Sequence, residues 1–179
     1  MKINLLLILS IIFMSVGFIA LADDDDSYNT DFKVVPNASY TEECGSCHFT
    51  YFPGMLPSKS WRLLLSDSNL NKHFGEEIDL DKPTKSQILN YLTIDSADKS
   101  KYKRSKKINR SISPNESPLR ITETRYINDK HRKIPLKLVT ENSEVESLSN
   151  CDSCHKEAEK GIFDDDTVEI PGYGKWDDD

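Results

Sequence analysis

Two copies of one five-residue pattern, C-x-x-C-H, constrain this 179-residue chain more than any other feature. They run from Cys44 to His48 and from Cys151 to His155, and together they use all four cysteines. Two thiols three positions apart can form thioethers with the two vinyl groups of one haem, and the histidine that follows can ligate its iron. The sequence therefore predicts two covalently bound haem c groups. Attachment is expected at Cys44, Cys47, Cys151 and Cys154, with His48 and His155 as the proximal iron ligands.

Other uses of paired cysteines explain this pattern less well. A structural zinc site would place its two C-x-x-C units about 15–20 residues apart, whereas 104 positions separate Cys47 from Cys151. A thioredoxin-like dithiol needs a βαβ context that the sequence does not suggest. Two disulfides are chemically possible, but none of these alternatives accounts for the histidine after each pair. With 4 histidines in 179 residues, chance would place a histidine directly after both cysteine pairs in roughly 1 case in 2000.

Two further histidines are candidates for the sixth, distal position of each iron. His73 lies 25 residues after His48, and His131 lies 24 residues before His155. Met55 follows His48 too closely to reach the opposite side of the same haem, so we interpret it as a wall residue. The simplest arrangement is two locally built bis-histidine haems with His73 and His131 as distal ligands. Crossed pairing and surface positions for these two histidines remain open at this stage.

The first 22 residues have the layout of a secretory signal peptide. Lys2 precedes an apolar stretch, and Ala20-Leu21-Ala22 is a small-residue cleavage pattern followed by four aspartates. We expect cleavage after Ala22 and a periplasmic location. An uncleaved membrane anchor is the alternative, because the apolar run is long enough to cross a bilayer.

The rest of the chain is expected to be mainly α with extensive loops. A small, haem-centred, cytochrome c-like domain at 23–98 begins with a polar lead-in to residue 42. A basic polar linker at 99–118 would join it to an extended C-terminal haem region with an acidic tail at 119–179. Apolar periodicity and boundary residues predict helices over 58–75, 84–97, 123–132 and 150–161, with Asn150 as a cap and Gly161 in the left-handed position.

Composition supports a cofactor-filled interior and excludes two classes of protein. Beyond residue 22 only 49 of 157 residues are hydrophobic, which is low for a globular domain. The net charge of −7 argues against a nucleic-acid binder, and the single long apolar stretch excludes a multi-span membrane protein. The basic stretch at 99–110 is interpreted either as a solvated linker or as a docking patch for an acidic partner.

Side chains near the motifs are candidates for contacts with the haems. Arginines can bind haem propionates, and those close to the motifs in sequence are Arg62, Arg120, Arg125 and Arg132. Aromatic side chains can form the pocket walls, and the candidates are Phe49, Phe52, Trp61, Phe74 and Tyr126.

The residues around the motifs resemble those of the bacterial dihaem cytochromes c of the DHC type. The similar blocks are Glu43 to His48, Pro53 to Pro57 with Ser60-Trp61, His73 to Glu76, Lys130 to Arg132 with Ile134-Pro135, Asn150 to His155 with Ala158-Glu159 and Gly161, and Ile170-Pro171. The resemblance implies an electron-transfer cytochrome with two bis-histidine haems, and His73 and His131 match the distal-ligand positions. The basic stretch at 99–110 and the acidic C-terminus depart from the family pattern.

The expected function is the relay of single electrons between redox proteins, such as another cytochrome or a membrane-bound donor, without substrate chemistry. Filled axial positions leave the iron no place for a substrate. The alternative is a peroxidase- or reductase-like haem enzyme in which one distal histidine leaves the iron. No nucleic acid is expected as a partner. Contact with a membrane is expected only if the signal segment is not cleaved.

Overall fold

The computed structural model describes residues 29–176, which form a mainly helical fold with long loops. The helices are α1 (Ala38–Cys44), α2 (Ser58–Leu64), α3 (Asp67–Leu70), α4 (Lys82–Ile94), α5 (Lys103–Ser111), α6 (Arg125–His131) and α7 (Cys151–Cys154). Single 3₁₀ turns cover Pro53–Met55, Ile121–Glu123, Leu136–Leu138, Ala158–Lys160 and Asp165–Thr167. Strands β1 (Glu169–Ile170) and β2 (Gly174–Lys175) form a short antiparallel ribbon. The predicted fold class is confirmed.

Helix α4 is the longest element, and the sequence predicted it well. The Asp81 carboxylate caps its start by accepting a 3.0 Å hydrogen bond from the Thr84 backbone N–H, and Pro83 suits the first turn. Ile88 and Leu92 are fully buried on the side that packs against α2. Helix α6 also lies within the predicted range of 123–132.

The predicted helix over 58–75 is instead divided into α2 and α3. Ser66 Oγ and Asn69 Nδ2 each donate to the Leu63 carbonyl oxygen at 2.7 Å. Such side chains compete with the backbone for helical hydrogen bonds, which explains the interruption. Phe74 and Gly75 then have φ values of 54° and 114°, so the chain turns immediately after His73.

The prediction of a solvated linker at 99–118 is wrong for its central part. Helix α5 occupies 103–111 and packs against α6, with Ser105 and Ile108 fully buried. Pro114 and Pro118 lie beyond the end of α5 and therefore do not prevent the helix. The helix presents its polar residues outward, which is why its sequence resembles that of a linker.

The polar lead-in also contributes to the interior. Phe32 is 1% exposed and meets Phe163 edge-on at 5.4 Å between ring centres. The Asp31 backbone N–H donates to the Gly161 carbonyl oxygen at 2.8 Å. Gly161 has φ 74° as predicted, and a Cβ there would lie 2.7 Å from Val34 Cγ2. The larger core cluster therefore contains residues from both ends of the described chain.

The predicted helix over 150–161 is only partly formed. α7 ends at Cys154, and a separate 3₁₀ turn precedes Gly161. Asn150 does not cap α7, because its side-chain amide donates to the Val145 carbonyl oxygen at 2.9 Å. Val145 belongs to a smaller core cluster with Val139, Val168 and Ile170.

The proposed signal segment, the aspartates at 23–26 and the final three aspartates lie outside the described residues. Within the described part of the chain, no helix has the length and apolar character needed to cross a membrane. The division into domains at 98 and 118 stays a prediction.

Candidate haem sites

Each C-x-x-C-H motif lines its own cavity together with one of the spare histidines. The N-terminal cavity, of about 290 Å³, is lined by Cys44, Cys47, His48 and His73. The C-terminal cavity, of about 320 Å³, is lined by Cys151, Cys154, His155 and His131. The structure thus brings together the residues of the local pairing and not those of the crossed pairing.

The two histidines of the N-terminal cavity face each other with nearly parallel rings. The ring centres of His48 and His73 are 6.3 Å apart, with an interplanar angle of 24°. His48 Nδ1 donates to the Phe49 carbonyl oxygen at 2.7 Å. Because that oxygen can only accept, Nδ1 is the ring nitrogen that donates, and Nε2 is the nitrogen left available to a metal. Burial and the neighbouring His48 lower the pKa of His73, which favours the neutral, metal-binding imidazole.

The histidines of the C-terminal cavity are equally close but are rotated against each other. The centres of His131 and His155 are 6.1 Å apart, and their planes meet at 72°. His131 Nδ1 donates to the Ile127 carbonyl oxygen at 2.7 Å, one turn earlier in α6. Burial lowers the pKa of His155 to about 4, so this ring is also neutral at physiological pH.

The spacing of both pairs fits a metal held between two imidazoles. Imidazole nitrogen binds a first-row metal at about 2 Å, and the nitrogen lies roughly 1.1 Å from the centre of a five-membered ring. Two such arms on opposite sides of one metal separate the ring centres by about 6.2 Å. The observed separations of 6.3 and 6.1 Å agree with this value.

No disulfide joins any of the four cysteines, and their chemistry fits thioether formation better than metal-thiolate binding or dithiol exchange. Burial raises the pKa of Cys44 to about 11 and that of Cys151 to about 12. Both groups are therefore neutral thiols at physiological pH, unlike the low-pKa thiols of redox-active motifs. Among residues 29–176, no group of three or more His, Cys, Asp or Glu side chains is arranged to bind a bare metal ion.

Comparison with known proteins decides the assignment. A model of the dihaem cytochrome c family matches residues 40–163 of this chain. The chain belongs to the dihaem cytochrome c family. It carries two covalently bound c-type haems, as the two motifs predicted. A search of curated proteins finds no match.

Two solved dihaem cytochromes c show how similar the chain is to known structures. The X-ray structure of sb-DHC from Shewanella baltica OS155 is 41% identical, covers 80% of this chain and all of its own, and has a TM-score of 0.64. The dihaem cytochrome c from Rhodobacter sphaeroides is 35% identical and covers 73% of this chain and 98% of its own, with a TM-score of 0.63.

The cavity walls of this dihaem cytochrome agree with the aromatic predictions only in part. Trp61 and Phe74 line the N-terminal cavity, and Tyr126 lines the C-terminal one. Phe49 and Phe52 lie in the adjoining core and line neither cavity. Met55 is a wall residue, as predicted, but of the C-terminal cavity rather than the one next to its own motif.

One wall is common to both cavities of the cytochrome. Tyr51, Ile121 and Thr122 line both of them. The Tyr51 ring stacks on the His48 ring with 4.9 Å between centres, and its hydroxyl donates to the Ser149 carbonyl oxygen at 2.9 Å. Burial raises the pKa of Tyr51 to about 12, so the hydroxyl remains a donor. The sequence did not predict a role for this residue, because its neighbours in sequence give no sign of the contact with Ser149, 98 residues later.

Among the four arginines predicted to bind propionates, only Arg120 lines a cavity. Its guanidinium lies 3.9 Å from the centre of the Phe74 ring at the N-terminal cavity. Arg62, Arg125 and Arg132 line neither cavity. The C-terminal cavity instead has Arg104, which pairs with Asp31 at 2.9 Å and was missed because it lies in the supposed linker.

Proposed function

We propose that this cytochrome relays single electrons between redox proteins through two bis-histidine haems. The observation that carries the proposal is the wall shared by two cavities, each of which holds a pair of facing imidazoles. Cys44 and Cys47 would attach one haem, with His48 and His73 as its axial ligands. Cys151 and Cys154 would attach the other, with His155 and His131.

A haem bound in this way supplies an iron that can accept and release one electron. The chain's own histidines would hold the iron from both sides, which would leave no place for oxygen, peroxide or an organic substrate. The carbonyl oxygens of Phe49 and Ile127 fix the orientation and tautomer of one ring in each pair. A fixed ligand set keeps structural change small when the charge of the site changes.

The protein matrix around each pair favours fast electron exchange. Buried apolar side chains such as Leu92 and Val168 exclude water, so little solvent has to reorganise. Arg120 at one cavity and Arg104 at the other are cations suited to propionate groups. Tyr51 would lie between the two haems, because it lines both cavities.

The proposal includes export. The signal-like segment at 1–22 supports a periplasmic location after cleavage behind Ala22. Covalent attachment through cysteines suits a compartment in which free thiols would otherwise oxidise. The partners would be other redox proteins in that compartment.

Carbon monoxide tests the proposal directly, because the gas binds ferrous haem only where an axial position is open. We expect the optical spectrum of the reduced holoprotein to remain that of two low-spin haems when carbon monoxide is added. Binding at either haem would contradict the relay and would favour the enzymatic alternative.

A further inference from the structure

We propose that the outer side of α5 is a docking surface for an acidic redox protein, and that electrons enter or leave at the C-terminal haem beneath it. This inference rests on the proposed relay and names the chemistry of its partner. It starts from cations that the fold places on one surface and leaves unpaired.

Five exposed cations form this surface, which we call the basic face. It consists of Lys101, Lys103, Lys106, Lys107 and Arg110. None of the five forms an ion pair with any residue between 29 and 176, although six ion pairs occur elsewhere in that range. The remaining cation of α5, Arg104, points inward and pairs with Asp31. The six cations between residues 101 and 110 thus comprise one structural charge, Arg104, and five that have no ion pair among the described residues.

The basic face is held rigidly against the body of the protein. Ser105 and Ile108 have no exposed surface, and a Cβ added at Gly54 would lie 2.3 Å from Ser105 Oγ. The backbone of the 3₁₀ turn at Pro53–Met55 therefore approaches α5 closely. At the other end of the helix, Ser111 Oγ accepts a 3.2 Å hydrogen bond from the Tyr126 backbone N–H. A fixed array of charges costs a partner less ordering entropy than a flexible tail would.

The inner side of the same helix reaches the C-terminal cavity. Arg104 lines that cavity and donates to the Tyr126 hydroxyl at 3.2 Å and to the Phe163 carbonyl oxygen at 3.1 Å. Lys107 of the basic face lies 6.0 Å from the centre of the Tyr126 ring. A protein bound to the basic face would thus be separated from the C-terminal haem by about one helix diameter, roughly 10 Å. Electron tunnelling weakens steeply with distance, so this is the haem that such a partner would use.

The N-terminal cavity offers an acidic partner no comparable approach. Its charged lining residues are Glu43, Glu76 and Arg120, and both glutamates are exposed. At the C-terminal cavity, Lys130 pairs with Asp165 at 2.7 Å, Arg104 is paired with Asp31, and Lys175 balances Asp166, so this lining has no net negative charge. The charges around the two haems therefore select between them.

The rate changes with salt in opposite directions depending on which charge governs the encounter, the net charge of the whole chain or that of the basic face. The whole chain is negative, at −7, so a uniformly charged body would repel an acidic partner, and salt would speed the reaction. A local basic face would attract that partner, and salt would slow the reaction by screening. The sign alone distinguishes a docking surface from a merely solvated one.

The test uses the oxidised holoprotein and photoreduced flavodoxin, an acidic flavoprotein that gives one electron to a ferric haem and is itself oxidised by one electron. The test variant is Lys103→Glu/Lys106→Glu. The control variant Lys82→Glu/Lys137→Glu changes the net charge equally at exposed lysines outside the basic face. Second-order rates are measured between about 10 and 200 mM ionic strength.

We expect the wild-type rate to fall as salt rises, and the test variant to be about tenfold slower at low salt. The control variant should change less than about twofold. A wild-type rate that rises with salt, or equal slowing in the two variants, would overturn the inference.

A second arm separates a protein partner from a membrane surface and from failure of the relay itself. One outcome is that the wild-type protein sediments with phosphatidylglycerol vesicles while the test variant reacts with flavodoxin at the wild-type rate. In that case the basic face serves a lipid surface and the inference is wrong. Equal reduction of both variants by a small neutral photoreductant would show that the variants keep intact haems. Carbon monoxide binding by the wild type would refute the relay independently of the docking surface.

Discussion

The hydroxyl of Tyr51 donates a 2.9 Å hydrogen bond to the carbonyl oxygen of Ser149, 98 residues further along the chain. This bond fastens the wall between the two cavities to the segment that leads into the second motif. We expect Tyr51→Phe to keep the stacking on His48 and to lower the free energy of unfolding by about 1 kcal/mol. Chemical unfolding of the holoprotein measures this, with the exposed Tyr173→Phe as control. Equal stability of the two variants would show that the bond contributes nothing.

Tyr51→Leu should also slow electron equilibration between the haems, because it removes the aromatic ring that borders both cavities. Pulsed reduction of one haem, followed by optical detection of redistribution, measures the rate. Tyr51→Phe is the matched control, since it keeps the ring. If leucine and phenylalanine give the same rate, the ring is not part of the path.

His73→Ala and His131→Ala should each open one haem and leave the other unchanged, because each spare histidine faces only one motif histidine. We expect half of the total haem to become high-spin and able to bind carbon monoxide in either variant. Optical titration with the gas measures this fraction. An unchanged spectrum would mean that the histidine is not an iron ligand, and loss of both haem spectra would contradict local pairing.

The two haems should give different low-spin electron paramagnetic resonance signals in the oxidised protein. The relative orientation of two axial imidazole planes controls the splitting of the iron d orbitals, and the planes meet at 24° in one site and 72° in the other. We expect the C-terminal haem to have the larger maximum g value. His131→Ala identifies it, since that signal should disappear. Two indistinguishable signals would contradict the observed ring orientations.

Asp31→Asn should destabilise the protein more than an equivalent change at an exposed ion pair. Arg104 and Asp31 are 18% and 27% exposed, so loss of the carboxylate leaves a largely buried guanidinium without its counter-ion. Surface pairs contribute at most about 1 kcal/mol and buried pairs more, so we expect a loss of about 2 kcal/mol. Asp95→Asn, which removes the pair with Lys33, is the control and should cost less than about 1 kcal/mol.

Asp98 should contribute to the loss of stability in acid. Although burial would raise its pKa, hydrogen bonds from the Ser58 backbone N–H and from the Ser96 and Ser58 hydroxyls hold the pKa below its ordinary value of 3.8. A carboxyl with a lowered pKa in the folded state stabilises the protein above its unfolded pKa, and this stabilisation disappears as pH falls through the folded pKa. Asp98→Asn should therefore flatten the decline in unfolding free energy below about pH 4. An unchanged acid profile would contradict this contribution.

Local patterns in the sequence predicted the parts of the fold that depend on local physics. The spacing of the cysteines and histidines predicted the cofactor, and the apolar stripe of Ile88, Leu89 and Leu92 after Pro83 predicted α4. Long-range packing was not visible in the same way. Phe32 lies in a polar segment, and it is buried because distant Phe52 and Phe163 pack against it.

Helix α5 illustrates the same limit from the opposite direction. With two fully buried residues, Ser105 and Ile108, it has too narrow an apolar stripe to distinguish a packed helix from a solvated one. Arg104 was missed for the same reason, since only its contact with Asp31 separates it from its neighbours. The predicted distal ligands remain predictions until the iron itself is probed.

The contact of Phe32 with Phe163 has a consequence for the order of folding. A chain that emerges from the ribosome or a translocation channel presents residue 32 long before residue 163. Its larger core cannot close until nearly the whole described sequence has emerged. We therefore expect the larger core, which borders both cavities, to close late in folding.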